Sequence, residues 1–496
     1  MAGEPEAAPV NAAVSIGILA AFLVLAVALG LYSARGRDRK ALTEWSVGGR
    51  SFGTVFVWVL MAGETYTSFS FLGAAGWSYD KGVPIFYLVA YLAIGFAVGY
   101  VVGPLLWTYA HRHGLHNISD IVAHRFASPA LGAGIAVLAT VFLLPYIQVQ
   151  ITGMGVVVAE VSYGAIGLGL AYFLAFLITE AFLVVSGLRG SAWVSVLKDL
   201  LVVVLMVVIF VIVPLHFFDG YGQMFAKITE HRAQWLTLPG HGDTGLGIGW
   251  FVSTSVLNGV VIAIFPTTVA GSLAAANPQV VRRNAIFMPF YQILLFIPIL
   301  LGFAASLAVP GLGNSDLSLF RMAADVLPSW LLGLLGVAGT LSAIVPMAVF
   351  MLVIGTMWGR SILGAHPRTA NRQRPLAQLV AFLAGAIALL LTYIWPNALV
   401  RLSVVSYEGL AQLLPAVLLA LLWRRMSAAA AVSGLTVGVV FTCVLVFTGN
   451  DPIAGINAGL LGLAANLLVV LAVTAIRPAN TPPELLAQPE TVTLKQ

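Results

Sequence analysis

The chain has 496 residues, 60% of them hydrophobic and only 9% charged, with a formal net charge of +5. That balance, with a mean hydropathy of +0.98, excludes a soluble globule and reads as an all-α polytopic membrane protein. The single cysteine, Cys443, excludes a disulfide framework and a cysteine metal cage, and the positive charge falls in alternate loops rather than on one nucleic-acid-binding face.

Apolar runs of about 20 residues mark membrane spans, and the chain reads as thirteen of them. They cover Asn11 to Tyr32, Phe52 to Trp77, Pro84 to Ala110, Leu131 to Glu160, Gly164 to Ser186, Trp193 to His216 and Ile248 to Ala275. Ile286 to Val309, Trp330 to Leu363, Leu376 to Trp395, Ser403 to Leu422, Ala428 to Phe447 and Ala454 to Ile476 follow. Loops on one side hold Arg35, Arg37, Arg39, Lys40, Arg50, Arg112, Arg125, Arg189, Arg282, Arg283, Arg360, Arg368, Arg372, Arg374, Arg424, Arg425, Arg477 and Lys495. The other side shows Lys81, Lys227, Arg232, Arg321 and Arg401. The positive-inside rule then puts the N-terminus outside and the C-terminus in the cytoplasm of a multi-pass plasma-membrane protein. Glu4 and Glu6 precede the first run and the Arg/Lys cluster follows it, the reverse of a secretory leader, so an uncleaved anchor is expected.

Glu64 lies inside the second run, in Ala62-Gly63-Glu64-Thr65-Tyr66-Thr67-Ser68. An ionised acid at that depth is costly unless a proton, a cation or a wet cavity compensates it. Helix-interrupting residues recur five spans apart: Gly63, Gly73 and Gly76 in the second, Asn258-Gly259 and Pro266 in the seventh. Backbone unwound at mid-membrane is tolerated where it lines a cavity, and such paired breaks mark inverted five-helix repeats. The expected division is 1-51 for an extra helix and linker, 52-216 for the first repeat, 217-247 for an extracellular loop and 248-422 for the second repeat. Two added helices, 423-476, and a cytoplasmic tail, 477-496, complete it.

Val47-Gly48-Gly49-Arg50-Ser51-Phe52-Gly53 followed by Gly63-Glu64-Thr65-Tyr66-Thr67 resembles the first core helix of the sodium:solute symporter family, particularly its bacterial monocarboxylate permease branch. Pro145-Tyr146-Ile147-Gln148-Val149-Gln150, Ser186-Gly187-Leu188-Arg189, Lys198-Asp199, Arg282-Arg283-Asn284 and Val345-Pro346-Met347-Ala348 extend the resemblance from about residue 45 to 425. It implies a leucine-transporter-type fold of thirteen helices and secondary active transport, not an enzyme. The implied substrates are short monocarboxylates such as pyruvate, lactate, acetate or propionate.

Glu64 is then the expected coupling group, as a Na⁺ ligand, a proton carrier or a counter-charge, against a structural acid satisfied by backbone amides. Gly63 and Tyr66 are the candidate carbonyl donors if Na⁺, the one cofactor left open, is used. Many sodium-coupled members add hydroxyls from the ninth span, where this chain reads Ile344-Val345-Pro346-Met347-Ala348-Val349-Phe350, its nearest hydroxyl being Ser342. That departure favours the proton over sodium.

Candidate substrate groups are Thr65, Thr67 and Ser68, then Tyr146, Gln148 and Gln150, then Asn258, Thr267 and Thr268. Only one of the two glutamines is expected to meet the cavity, because residues two apart on a helix do not share a face. Thr267 stands where the branch often has a histidine, so a helix N-terminus is the alternative anchor for an anion. Glu160 reads as solvated, and Glu180 as a second proton candidate or a partner for Lys198 or Arg189. Lys198-Asp199 reads as an internal ion pair, His111-Arg112-His113-Gly114-Leu115-His116 as a basic loop rather than a metal site, and Trp58, Trp77, Trp107 and Trp250 as interfacial anchors. The expected partners are a small organic anion, a proton or Na⁺, and lipid. The rival readings are a Na⁺ symporter for another small metabolite and a transporter-like membrane sensor.

Overall fold

The computed structural model describes residues 7–33, 35, 42–242, 245–364, 372–397 and 399–479. Glu4, Glu6, Arg37, Arg39, Lys40, Arg368 and Lys495, used above for topology, lie outside the described residues. Eleven described helices are long and apolar enough to span a membrane, and a bent pair, Thr54–Thr65 with Phe69–Asp80, makes a twelfth candidate. The fifth expected span, Leu168–Val184, is a shorter apolar helix, so thirteen spans by length alone is not reached.

In chain order, α1 is Ala7–Ser33, α2 Thr54–Thr65, α3 Ala74–Asp80, α4 Tyr87–Arg112, α5 Ile118–Arg125 and α6 Pro129–Val161. Next come α7 Leu168–Val184 and α8 Ser186–Phe218. They form one helical run whose kink is Gly187, at φ 57° and ψ −162°. That backbone suits glycine, and a Cβ there would lie 3.0 Å from the Trp45 carbonyl oxygen. The second half holds α9 Tyr221–Arg232, α10 Ile248–Ile262, α11 Pro266–Leu273, α12 Pro278–Gln292, α13 Phe296–Ala308, α14 Ser318–Val326 and α15 Ser329–Ser361. α16 Gln373–Ile394, α17 Leu399–Leu410, α18 Ala428–Phe447 and α19 Ala458–Ile476 close the chain's described part.

Two broken helices organise the centre. α2 ends at Tyr66, whose φ −92° and ψ 81° leave the helical region, and the chain resumes 56° off axis through a π-helical turn at Phe69–Gly73. α10 ends before Phe265, at φ −55° and ψ 131°, and Pro266 opens α11 at the first-turn position where its missing N–H costs nothing. The breaks therefore fall at Tyr66 and Phe265, while Gly63 and Asn258-Gly259 stay helical. Gly259 serves packing instead, since a Cβ there would meet Tyr91's carbonyl oxygen at 2.9 Å.

Glu160, and the pairing expected as one alternative for Glu180, are placed differently from the expectation. Glu160 pairs with Arg321 at 2.9 Å and is mostly buried rather than solvated. Glu180 takes neither basic partner, because Arg189 is bound to Glu44 at 2.7 Å and Lys198 to Asp199 at 3.1 Å. Its Oε1 has no partner among the described residues. The tryptophans turn inward: Trp77 packs on Trp250 at 5.5 Å, Trp58 on Tyr291 at 5.9 Å, and the Trp107 indole donates to Ala275 at 2.9 Å.

The arginine-rich face is clasped by the motifs that resemble the family. Arg189 donates to Glu44, to the Gly48 carbonyl and to Ser51. Asp120 accepts from Arg360 at 2.7 Å and from the His116 amide at 2.9 Å, tying the α4–α6 connection to the end of α15. His111 stacks on Trp107 and His113 packs against His124. His116 lies between Thr43 and Ser46, so the histidine-rich loop is used for packing. Burial, then the positive charges of Arg360 and Arg50, push the His116 imidazole down to about 3 from an ordinary 6.5. The unfolded chain binds that proton first, so the stabilisation is complete above pH 6.5 and is lost as pH falls toward about 3. His116→Asn is therefore expected to flatten part of the acid limb of an unfolding-midpoint profile in detergent. An unchanged slope would remove His116 from the clasp's energetics.

Candidate functional site

Each buried backbone group freed by a helix break has to find a partner. At the first break the amide of Ser68 donates to Gln150 Oε1 at 3.2 Å, and the amide of Phe69 to Thr67 Oγ1 at 3.2 Å. The Thr65 carbonyl accepts from Ser70 at 2.8 Å. The carbonyls of Gly63 and Tyr66 accept from Lys198 Nζ at 2.9 and 3.0 Å. The third ammonium proton faces Asp199 Oδ1 at 3.1 Å, so all three donors are matched by oxygens. Tyr291 holds the same Asp199 oxygen with a hydrogen bond of 2.9 Å.

Gly63 makes this reach possible. A Cβ there would run into the Ser195 side chain, its Cβ at 2.9 Å, so only glycine lets α8 pass this close. Lys198 is three residues beyond Ser195, on the same helix face. Val345 is the α15 side chain that faces Gly63, 3.6 Å from the same point.

Beside the break, Met61, Glu64, Thr65, Tyr91, Tyr146, Ile262, Phe265, Thr267, Thr268, Phe350 and Tyr407 line a narrow recess. Glu64 is the one charged side chain in that lining. Its carboxyl faces the Thr267 hydroxyl and feels the Lys198 charge, and its Oε1 has no partner among the described residues. Aromatic rings close the opposite wall: Tyr146 against Phe350 at 5.0 Å, Phe265 against Tyr407 at 5.0 Å, and Tyr91 against Tyr407 at 5.5 Å. Thr267 and Thr268 are the first residues after Pro266, so the lining includes an α11 N-terminus whose first amides have no partner within the helix and no side-chain cap at Phe265, a place suited to an anion. A second recess shares Met61, Thr65, Ile262 and Thr268 and runs past Gly103 and Val281 toward the arginine-rich ends of α4 and α12.

Of the residues expected at the site, Glu64, Thr65, Tyr146, Thr267 and Thr268 meet in this chamber. Thr67 stands at its edge, its hydroxyl beside that of Tyr146. Thr65 also bonds back to its own helix at the Met61 carbonyl, 3.0 Å, and accepts from Gln292 at 2.6 Å. Ser68, Gln148, Gln150, Asn258 and Ser342 lie outside the lining. Neither glutamine meets the chamber, where one was expected: Gln150 holds the break, while Gln148 donates to the Trp395 carbonyl at 2.8 Å. Ser342 and Asn258 are buried with side-chain atoms unpartnered among the described residues. Tyr91, Phe265, Phe350 and Tyr407 were not singled out by sequence, because an aromatic in an apolar run looks the same whether it packs or lines.

Residues 45–438 match the sequence profile of the sodium:solute symporter family. The chain belongs to that family. The symporter is 36% identical to the uncharacterised symporter YhjB of Bacillus subtilis, over 92% of this chain and 96% of that one. It is 26% identical to the monocarboxylate transport permease protein of Rhizobium johnstonii, over 94% and 98% respectively. Its fold is shared with a Na⁺-coupled sialic acid symporter solved in a substrate-bound outward-open state, at a TM-score of 0.76 and 16% identity, covering 94% of this chain and 99% of that one. Family and fold are those of transporters.

The family name raises a sodium ion, and the residues here do not fit one at the first break. A hard cation takes several oxygen ligands. The Gly63 and Tyr66 carbonyls and the Asp199 carboxylate beside them already hold the Lys198 ammonium. The α15 side chain facing Gly63 is valine rather than a hydroxyl.

Proposed function

We propose that the symporter carries short monocarboxylates such as pyruvate, lactate, acetate or propionate across the plasma membrane together with a proton. Its N-terminus is outside, its C-terminus is cytoplasmic, and the halves 52-216 and 248-422 move against each other in alternating access. The observation that carries the reading is Glu64 in the wall of the central chamber, beside the amides that open α11. Lys198 is paired with Asp199, so Glu64 is the acid of the chamber lining without a base in hydrogen-bond contact. A substrate carboxylate seated on α11 meets a like charge as long as Glu64 is ionised, and like charges in one site disfavour each other. Protonation of Glu64 removes that repulsion and lets an otherwise costly anion enter an apolar space, so anion and proton bind together.

The chamber suits a small acid. Two threonine hydroxyls and the α11 amides address one carboxylate and one keto or hydroxyl oxygen, and the aromatic wall accepts a short carbon chain. The similarity to the monocarboxylate transport permease protein of Rhizobium johnstonii supports the same substrate class. Purified protein in liposomes is expected to concentrate labelled pyruvate under an inward pH gradient and not under a sodium gradient at equal pH. Accumulation driven by sodium alone would replace the proton, and accumulation of neither kind would remove the substrate class.

A further inference from the structure

We propose that Lys198 is this symporter's resident cation: its ammonium takes the place of a sodium ion at the first helix break and makes sodium dispensable there. The inference rests on the reading of this break as the place where a cation acts, and it adds the identity of that cation.

Gly63 brings α8 against α2, α2 stops at Thr65, and the stop frees two carbonyls on one side of the break. Those carbonyls and the Asp199 carboxylate form a three-oxygen cradle with distances of 2.9, 3.0 and 3.1 Å to Nζ. The cradle is buried, with the Lys198 side chain 0% exposed, and bears the negative potential a positive ion requires. A lysine whose only role was to neutralise Asp199 would not need both carbonyls. These are the groups the break would otherwise leave unpaired, so the ammonium fixes the bent geometry as well as the charge. Val345, on α15 and facing Gly63, supplies no oxygen.

The test is an unfolding midpoint in detergent, without substrate or pH gradient, comparing NaCl with choline chloride at equal ionic strength. Wild-type protein is expected to melt identically in both. Lys198→Ala vacates the cradle but keeps its three oxygens, so its midpoint is expected to be lower in choline chloride and to rise by a few degrees in NaCl as Na⁺ binds. A sodium shift in the wild type overturns the assignment, and so does a variant that unfolds as readily in NaCl as in choline chloride. The wild-type measurement needs no substitution, and so it decides even where the variant is unstable. Because neither arm contains a carboxylate substrate, a failure here leaves the pyruvate assay standing, and failure of the pyruvate assay leaves this assignment standing.

Discussion

Glu64→Gln is expected to hold internal pyruvate at the external concentration whatever pH gradient is imposed, while wild-type protein at one proton per anion gains about tenfold per pH unit. Glutamine has the carboxyl's shape and resembles its protonated form, so substrate still binds and counterflow exchange of labelled for unlabelled pyruvate persists. The side chain's Oε1 has no bond to lose among the described residues, and the protein is expected to elute as the folded wild type does. The pair of measurements isolates coupling from binding. Wild-type accumulation in the variant would show that the proton travels elsewhere, and loss of exchange along with accumulation would make Glu64 a binding group instead.

Gly63→Ala is expected to be strongly damaging at the first break. The added carbon meets Ser195, with Val345 at 3.6 Å on its other side, so the clash is resolved by moving α8 away from α2. Overpacking of this kind costs about 1–3 kcal/mol. It also draws Lys198 off the Gly63 and Tyr66 carbonyls, and buried carbonyls left unpaired cost a further ~1–3 kcal/mol. A lowered unfolding midpoint and a loss of uptake of at least about tenfold are the expected readouts. Adding Ser195→Gly removes the colliding atoms and is expected to recover part of both, as contacting pairs do in a double-mutant cycle. A Gly63→Ala protein that melts and transports like wild type would show that α8 does not need this approach.

The centre was legible wherever chemistry interrupts an apolar run. Glu64 stands out because bilayer depth penalises charge, and Pro266 because it cannot continue a helix. Both mark the place where the two breaks meet. Hydroxyls were less legible: Thr65, Thr267 and Thr268 reach the chamber and Ser68 does not, a difference set by which way each side chain turns after an irregular residue. Tyr66 carries no breaking signal of its own; its conformation comes from the tertiary contacts of the break. Lys198-Asp199 was read as an ion pair, which it is. Its further bonds to Gly63 and Tyr66 connect residues 135 and 132 positions away, a distance that no local pattern spans. The family-like strings around Gly48 and Arg189 proved to hold the arginine-rich face together rather than to line the chamber.

The membrane-spanning window of α15 is wholly enclosed by protein, whereas those of α1, α18 and α19 are only 22–33% buried. A helix with no lipid boundary cannot answer directly to a thinner or thicker bilayer; tilt and local stretching fall on the peripheral helices that do touch acyl chains. The wall that faces Gly63 is thereby kept from direct contact with lipid, and a change of bilayer thickness reaches the symporter's centre only through the peripheral helices.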